Sequence, residues 1–433
     1  LKMEFSEEVF HYIWKYRLFT DFNLETKSGK PLVVLSPGLK NKDAGPDFEH
    51  SRLMIDQIEW AGTIEIHVKS SDWYIHSHQH DPAYNSVVLH VVYEYDKEIC
   101  LQDGTVPETL ELKRFVDASL LNRYEGLMRS RAWIPCQEQL ATIDTFHIKQ
   151  WLERVLTERL QEKCTLLTGL LTEKKNNWEE VTYILLARNF GFKVNAVPFE
   201  WLAKNTPHRL LAKYRFSRTS IEALIFGQAG MLEKERFYDD YPISLQKEYT
   251  HLRYQYNLTP LPTSIWKFLR MRPANFPTMR LAQFAAWCAS EEHLFSKIIT
   301  LTSVEQLRQL FRELPVNAYW RQHYVFDKVT KQHSTALGAR SIDNVIINTV
   351  VTILVAYGKY VGKEMYLYRA IDLLDELTAE KNSTTNQFSE LGLDVKTAAD
   401  SQALLQLKQN YCDRYKCLDC GIGLQVFKQN KTL

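Results

Sequence analysis

Asp47, Glu65, His67 and Lys69 are the residues of this chain whose types and spacing suit chemistry most directly. Asp47 follows Gly45-Pro46 in NKDAGPDFEHSRLMID, and Glu65, His67 and Lys69 alternate along GTIEIHVKSS. Residues two apart on a strand share a face. The spacing therefore predicts an acid, an imidazole and an amine on one side, with Ile64, Ile66 and Val68 turned toward a core. If the two segments pair as a hairpin, Asp47 lies near the same end of the sheet. Two converging carboxylates suit a hard cation, Mg²⁺ or Mn²⁺, and a nearby base would orient water or hold a phosphate. The competing reading is a half-exposed, solvated sheet edge. Turn propensity accounts for Gly45-Pro46 but not for the polar face.

Histidines follow closely in WYIHSHQHDPAYNSVVLHVV: His76, His78, His80 and His90, with Asp81 among them. His-x-His on a strand puts both rings on one face, as Zn²⁺ or Mn²⁺ sites require, and such a site would join Glu65 and His67. On a loop the spacing says less. The loop histidines are read as hydrated, because no partner that would orient them is identifiable. His90 lies inside an apolar strand and needs a partner if buried.

Three further groups carry weaker signals. YCDRYKCLDCGIG holds Cys412, Cys417 and Cys420, a C-x₄-C-x₂-C nest suited to tetrahedral Zn²⁺ or an iron–sulfur cluster, with Cys136 or a histidine as fourth ligand. It loosely resembles the cysteine loop of endonuclease-III-type glycosylases, with different spacing and no fourth cysteine after Cys420. Arg270, Arg272 and Arg280, around two prolines and Phe276, would receive a phosphate backbone. Arg321 and His323 sit among aromatics that would stack bases. For both arginine groups the favoured reading is structural: guanidiniums cross-link helices and aromatics at helical spacing face a core.

Positioning these residues takes two kinds of structure. Residues 1–115 read as α/β: an opening helix, then PLVVLSPG, DFEHSRLMID, GTIEIHVKSS and SVVLHVVYEYD, each bounded by turn formers. Residues 116–385 change to 3.6-residue periodicity, as in DTFHIKQWLERVLTERLQEKC. Residues 386–433 carry a helix and the cysteines. The expected fold class is α+β: an N-terminal α/β sheet domain of nuclease-like order, a mostly α-helical domain, and a cysteine-containing tail. The apolar run 344–362, interrupted by Asn348, Thr349 and Thr352, reads as a buried helix rather than a membrane span.

Composition limits the function classes. With 53 basic and 52 acidic residues the net charge is +1, so any nucleic-acid contact must rest on local patches. Seven cysteines, four scattered singly, and no visible secretory leader fit a reducing cytoplasm.

The stretch 41–69 resembles the PD-(D/E)XK nuclease superfamily, whose signature is Pro-Asp followed by Asp/Glu-x-Lys on the next strand. Pro46-Asp47 and Glu65-Ile66-His67 occupy those places, with His67 where the signature has Lys. Lys69 lies two residues on, displaced by about 7 Å at strand rise. Glu7 or Glu8 matches the extra helix-borne acid of some members. The resemblance implies metal-dependent phosphodiester cleavage of DNA or RNA, with Asp47 and Glu65 on the metal and His67 or Lys69 assisting.

GLKNKDAGPDF, EIHVKSSDW, LHVVYEYD, EALIFGQAGML, RPANFPTMRLAQ and YCDRYKCLDC together resemble one uncharacterised bacterial family, widespread in Bacteroidetes and known only as a domain of unknown function. That likeness spans nearly the whole chain and implies no activity. The leading expectation is a metal-dependent phosphodiesterase. The alternatives are a non-catalytic nucleic-acid or protein interaction module on a degenerate nuclease fold, and a histidine-site metal hydrolase of a small substrate.

Overall fold

The computed structural model describes residues 5–290 and 293–429, and they divide into two compact units. The first spans residues 1–151 and 407–433, the second residues 152–406. This differs from the division expected at 115 and 385. The helix α3 (Ala118–Arg129), the turns after it and the tail all belong with the sheet. Arg123 of α3 donates through Nη2 to the Phe427 carbonyl at 3.3 Å, and Phe427 meets Tyr12 edge-on at 5.3 Å. Such contacts join residues about 300 to 400 positions apart, which no local periodicity reveals.

In the first unit, α1 (Glu7–Lys15) precedes a six-stranded mixed sheet. Its strands are β1 (Leu32–Ser36), β2 (Leu39–Lys40), β3 (Phe48–Ile55), β4 (Ile58–Lys69), β5 (Val87–Glu94) and β6 (Glu108–Glu111). Their order is β1-β3-β4-β5-β6, with β2 added to β3. β3 and β4 form the expected antiparallel hairpin, turning through Asp56 and Gln57, both at positive φ. β4 and β5 run parallel, joined not by a long helix but by α2 (Asp72–Ile75) and short 3₁₀ turns.

β4 is therefore a central strand. Its inner half is buried on both faces: Ile64 and Ile66 on one, Glu65 and His67 on the other. The half-exposed edge does not occur here. Alternation predicted which residues share a face; it did not predict that the polar face would be covered too.

The second unit is helical, with a core built on Phe190, Phe199, Phe226, Phe284 and Trp320. The apolar helix Ala339–Val361, the one described helix long and apolar enough to cross a membrane, lies mostly buried inside this unit, as expected. Its polar residues are paired: Thr349 Oγ1 accepts from Asn189 at 2.8 Å, and Asn348 Oδ1 from Lys163 at 3.0 Å. Lys163 Nζ also donates to Gln402 Oε1 at 2.9 Å, which Arg159 Nε shares at 2.7 Å. Gln402 in turn bonds Glu380. Burial, reinforced by the charge of Arg159, lowers the Lys163 amine to about 7.

Candidate metal centre

A turn and a strand register bring the two acids together. Gly45 at φ +113° lets the chain double back before β3, and Asn41 Nδ2 ties the turn by donating to the Pro46 carbonyl at 3.1 Å. Phe48 pairs with Ile64, which sets Asp47 beside Glu65. The backbone N–H of Asp47 donates to Glu65 Oε2 at 3.1 Å, and that of Ile66 donates to Asp47 Oδ2 at 2.9 Å. The carboxylates thus hold each other's strand. Burial, then the charge of Asp47, pushes Glu65 up to about 9.

Histidines from three further places close on this pair. Parallel register sets His90 of β5 beside Glu65, and its Nε2 lies 2.8 Å from His67 Nδ1. The segment after β4 is anchored by Asp96, which accepts from Ser70 Oγ at 2.9 Å and Ser71 Oγ at 2.7 Å. That anchor lets α2 deliver His76, whose Nδ1 stands 3.1 Å from His67 Nε2. His78 follows in a 3₁₀ turn, with Nε2 at 3.1 Å from Glu65 Oε1, which is 3.5 Å from His67 Nε2. Among the described residues, His67, His76 and His78 are the one group of three donors whose ligand atoms all lie within 4.8 Å of one another.

The surroundings fix these rings. Tyr84 stacks on His78 at 3.9 Å, and buried Trp73 packs edge-on against His67, His78 and His90. Burial and neighbouring imidazoles hold His67 well below the usual histidine range; burial takes His90 down to about 3 and lowers His78. All three rings are therefore neutral at pH 7 and able to offer lone pairs.

The donor set fits a transition ion. Zn–N bonds of about 2.0–2.1 Å at tetrahedral angles set two ligand atoms about 3.3–3.4 Å apart, within the spread of the separations here. His78 Nε2 and His11 Nε2 are buried without a hydrogen bond, although carboxylate oxygens lie 3.1 Å away. A ring nitrogen facing an oxygen in this way is satisfied by a bridging proton, such as the one burial keeps on Glu65, or by a shared cation that displaces it. Three imidazoles with one carboxylate favour Zn²⁺ or Mn²⁺ over Mg²⁺, which takes oxygen ligands in near-octahedral geometry.

Reading from sequence missed His11 and Tyr84. His11 lies on α1 with Nε2 at 3.1 Å from Asp47 Oδ2. Glu7, one turn earlier, is half-buried and senses His76, His11 and Asp47. The Glu-x₃-His spacing on one helix face was the available signal. Of the two first-helix acids, Glu7 faces the cluster and Glu8 is exposed. The loop histidines divide: His76 and His78 join the centre against the hydrated reading, whereas His80 is exposed. Lys69 is also exposed, its backbone N–H held by Asp72 Oδ2 at 2.8 Å. It shares the β4 face in register but lies beyond the buried centre.

Arg280 takes the structural reading favoured for its group and not the nucleic-acid contact. It is 6% exposed and donates to Gln283 at 2.9 Å, Asn275 at 2.7 Å and Ser341 at 3.2 Å, while stacking on Phe192. Arg270, Arg272 and Arg321 are exposed. Arg321 borders a cavity of about 580 Å³ with Arg312 and His333. His323 is buried, with its Nδ1 2.8 Å from the Tyr319 carbonyl and its ring stacked on Tyr319.

His90 gives a direct test of this geometry. If His67 Nε2 faces an ion, its Nδ1–H donates to His90 Nε2 and fixes the ring. His90→Ala is expected to weaken Zn²⁺ binding by roughly 10–100-fold, read by competition with a chelator of known affinity. Unchanged affinity would remove His67 from the centre.

A family model described as Protein of unknown function (DUF2851) matches residues 7–383. No curated protein and no solved structure matches the chain.

Proposed function

We propose that this chain, which belongs to the DUF2851 family, is a metal-dependent hydrolase of phosphodiesters, with its centre on His67, His76, His78 and Glu65. The observation that carries this is the convergence of three imidazoles and Glu65 beside a second acid that is partly open to solvent. Bound Zn²⁺ or Mn²⁺ would polarise an ester oxygen and lower the pKa of water.

The chain's own residues supply the rest. Asp47, 22% exposed at its side chain, is placed to accept a proton from an attacking water. His11 lies against Asp47 Oδ2 at 3.1 Å. His90 fixes His67, Tyr84 fixes His78, and Trp73 seals the inner side of the rings from water. Exposed His76 marks the side from which substrate would approach. The phosphodiester assignment draws on the likeness of Pro46-Asp47 and Glu65-x-His67 to the nuclease signature. The imidazole at His67 exchanges a lysine's charge for a metal-binding nitrogen.

The test is hydrolysis of bis-(p-nitrophenyl) phosphate and of labelled single- and double-stranded oligonucleotides after chelation and metal add-back. Zn²⁺ or Mn²⁺ is expected to restore cleavage and Mg²⁺ to restore little. Stoichiometric metal binding with no turnover of any of these would overturn the hydrolase reading in favour of a binding module.

A further inference from the structure

Four of the seven cysteines gather in one part of the first unit. Cys412 closes the turn Lys408–Cys412, Cys417 opens the turn Cys417–Asp419, and Cys420 precedes the helix Gly421–Lys428. Cys136 comes from the turns before the helix Thr145–Glu173. The tail is tied to that earlier segment at several points. Tyr415 Oη donates to the Ser130 carbonyl at 2.8 Å, Lys408 Nζ sits 5.0 Å over the Trp133 ring, and Gln429 Nε2 donates to Thr142 Oγ1 at 2.7 Å.

Cys136, Cys417 and Cys420 are buried, Cys412 is half-buried, and none is in a disulfide. Burial pushes Cys136 up to about 11 and Cys417 and Cys420 up to about 12, with the neighbouring thiols adding to the last two. Cys412 is raised by burial and by all three of the others. Cys412, Cys417 and Cys420 thus each sense Cys136, and burial keeps all four thiols protonated.

The loop is also shaped around one sulfur. The backbone N–H groups of Gly423 and Ile422 work against the burial that holds the Cys420 thiol up. N–H groups near a sulfur gain little from a neutral thiol, a weak acceptor, and more from a thiolate. A Cβ on Gly423 would stand 2.1 Å from the Cys417 carbonyl, and one on Gly421 would stand 2.6 Å from the Trp151 ring. The Cys417–Cys420 loop therefore folds back on the helix start with no spare volume.

We propose that Cys136, Cys412, Cys417 and Cys420 form a tetrathiolate site for one Zn²⁺ that clamps the tail onto residues 130–151. Each thiol releases its proton to solvent as its sulfur binds the ion, four protons in all, with no change of oxidation state. Lys408, close to Cys412, offsets part of the resulting negative charge. No three of the sulfurs stand within 4.8 Å of one another, as the histidine nitrogens do. Closure on the ion, with S···S near ~3.8 Å for Zn–S bonds of about 2.3 Å, takes rotation about Cα–Cβ bonds. Four thiolates with no other donor suit one tetrahedral Zn²⁺. Three of these cysteines lie beyond residue 383, where the family match ends.

Cobalt reports this site separately from the histidines, because only thiolate ligands give sulfur-to-Co²⁺ charge-transfer absorption in the near ultraviolet. The full chain, reduced, stripped and reloaded with Co²⁺, is expected to show that absorption. Cys417→Ser and Cys136→Ser should each lose most of it. Cys100→Ser, and the pair His76→Ala with His78→Ala, should keep it. A second measurement needs no variant: titrating the zinc-loaded wild type with a mercurial should release one Zn²⁺ as four thiols react. Absence of the charge-transfer band, its persistence unchanged in folded Cys417→Ser and Cys136→Ser, thiol reaction without zinc release, or iron with sulfide in the purified chain would each overturn the proposal.

Discussion

His76→Ala and His78→Ala will each strip the histidine centre of its ion while leaving the sheet folded. His76 is exposed, so its removal costs little packing. His78 loses its stack on Tyr84 but no hydrogen bond from Nε2, which has none. The loss of Zn²⁺ affinity should exceed the roughly 10–100-fold expected for an outer partner such as His90. Wild-type melting temperature should rise as Zn²⁺ is added, since an ion at about 100 times its Kd stabilises the folded state by ~2.7 kcal/mol. The variants should lose the part of that response that remains once the cysteine site is filled, and hydrolysis should fall with it. Asp47→Asn separates binding from chemistry. It should retain the ion and lower kcat by about 10²–10⁴-fold, the range for a lost general base. Calorimetric titration with Zn²⁺ settles the matter: undiminished binding in His76→Ala would sink the centre as assigned.

The second large effect lies in the helical unit. Lys163 is lowered to about 7 in the folded chain, against 10.5 as its unperturbed value. Between those values the unfolded chain binds more protons, so stability rises with pH from about 7 to about 10.5. The rise from this one amine is at most about 4–5 kcal/mol at ~1.4 kcal/mol per pKa unit. Part of it will be lost to relaxation around Asn348 and Gln402. Lys163→Met should flatten that slope. Near pH 7 its net effect should be small, because removing a buried charge offsets the lost donor to Asn348 Oδ1. Gln402 Oε1 keeps Arg159. Urea unfolding of both proteins across pH 7–10 provides the comparison. Parallel pH profiles would show that Lys163 is not the titrating group.

Both predictions rest on buried polar groups whose burial the sequence concealed. Alternation along 58–69 correctly placed Glu65 and His67 on one face, and the Gly-Pro-Asp turn correctly placed Asp47 at a strand entrance. Neither pattern shows whether that face meets water. It is covered because α1 and the turns after β4 fold over it, bringing His11, His76, His78 and Tyr84 from separate segments. His76 and His78 were visible as residues but not as ligands, since their spacing in a loop carries no direction.

The cysteines and arginines show the same boundary. C-x₄-C-x₂-C was legible as a local nest, while the return of Cys136 to it depends on a chain path of more than 270 residues. For Arg280, on a Pro-bounded helix start, sequence offered both a phosphate contact and the favoured structural role, and its side chain points inward to Asn275, Gln283 and Ser341.

By itself the sequence determined the α+β division, the β3–β4 hairpin, the shared face of Glu65 and His67, and the buried character of the helix 339–361. These follow from periods of 2 and 3.6 and from turn chemistry, which act over a few residues. Only the tertiary structure decided that β4 is central, that three imidazoles converge on Glu65, and that the tail returns to the sheet unit. Those outcomes depend on which distant surfaces bury one another, a choice that burial energy makes for the whole chain at once.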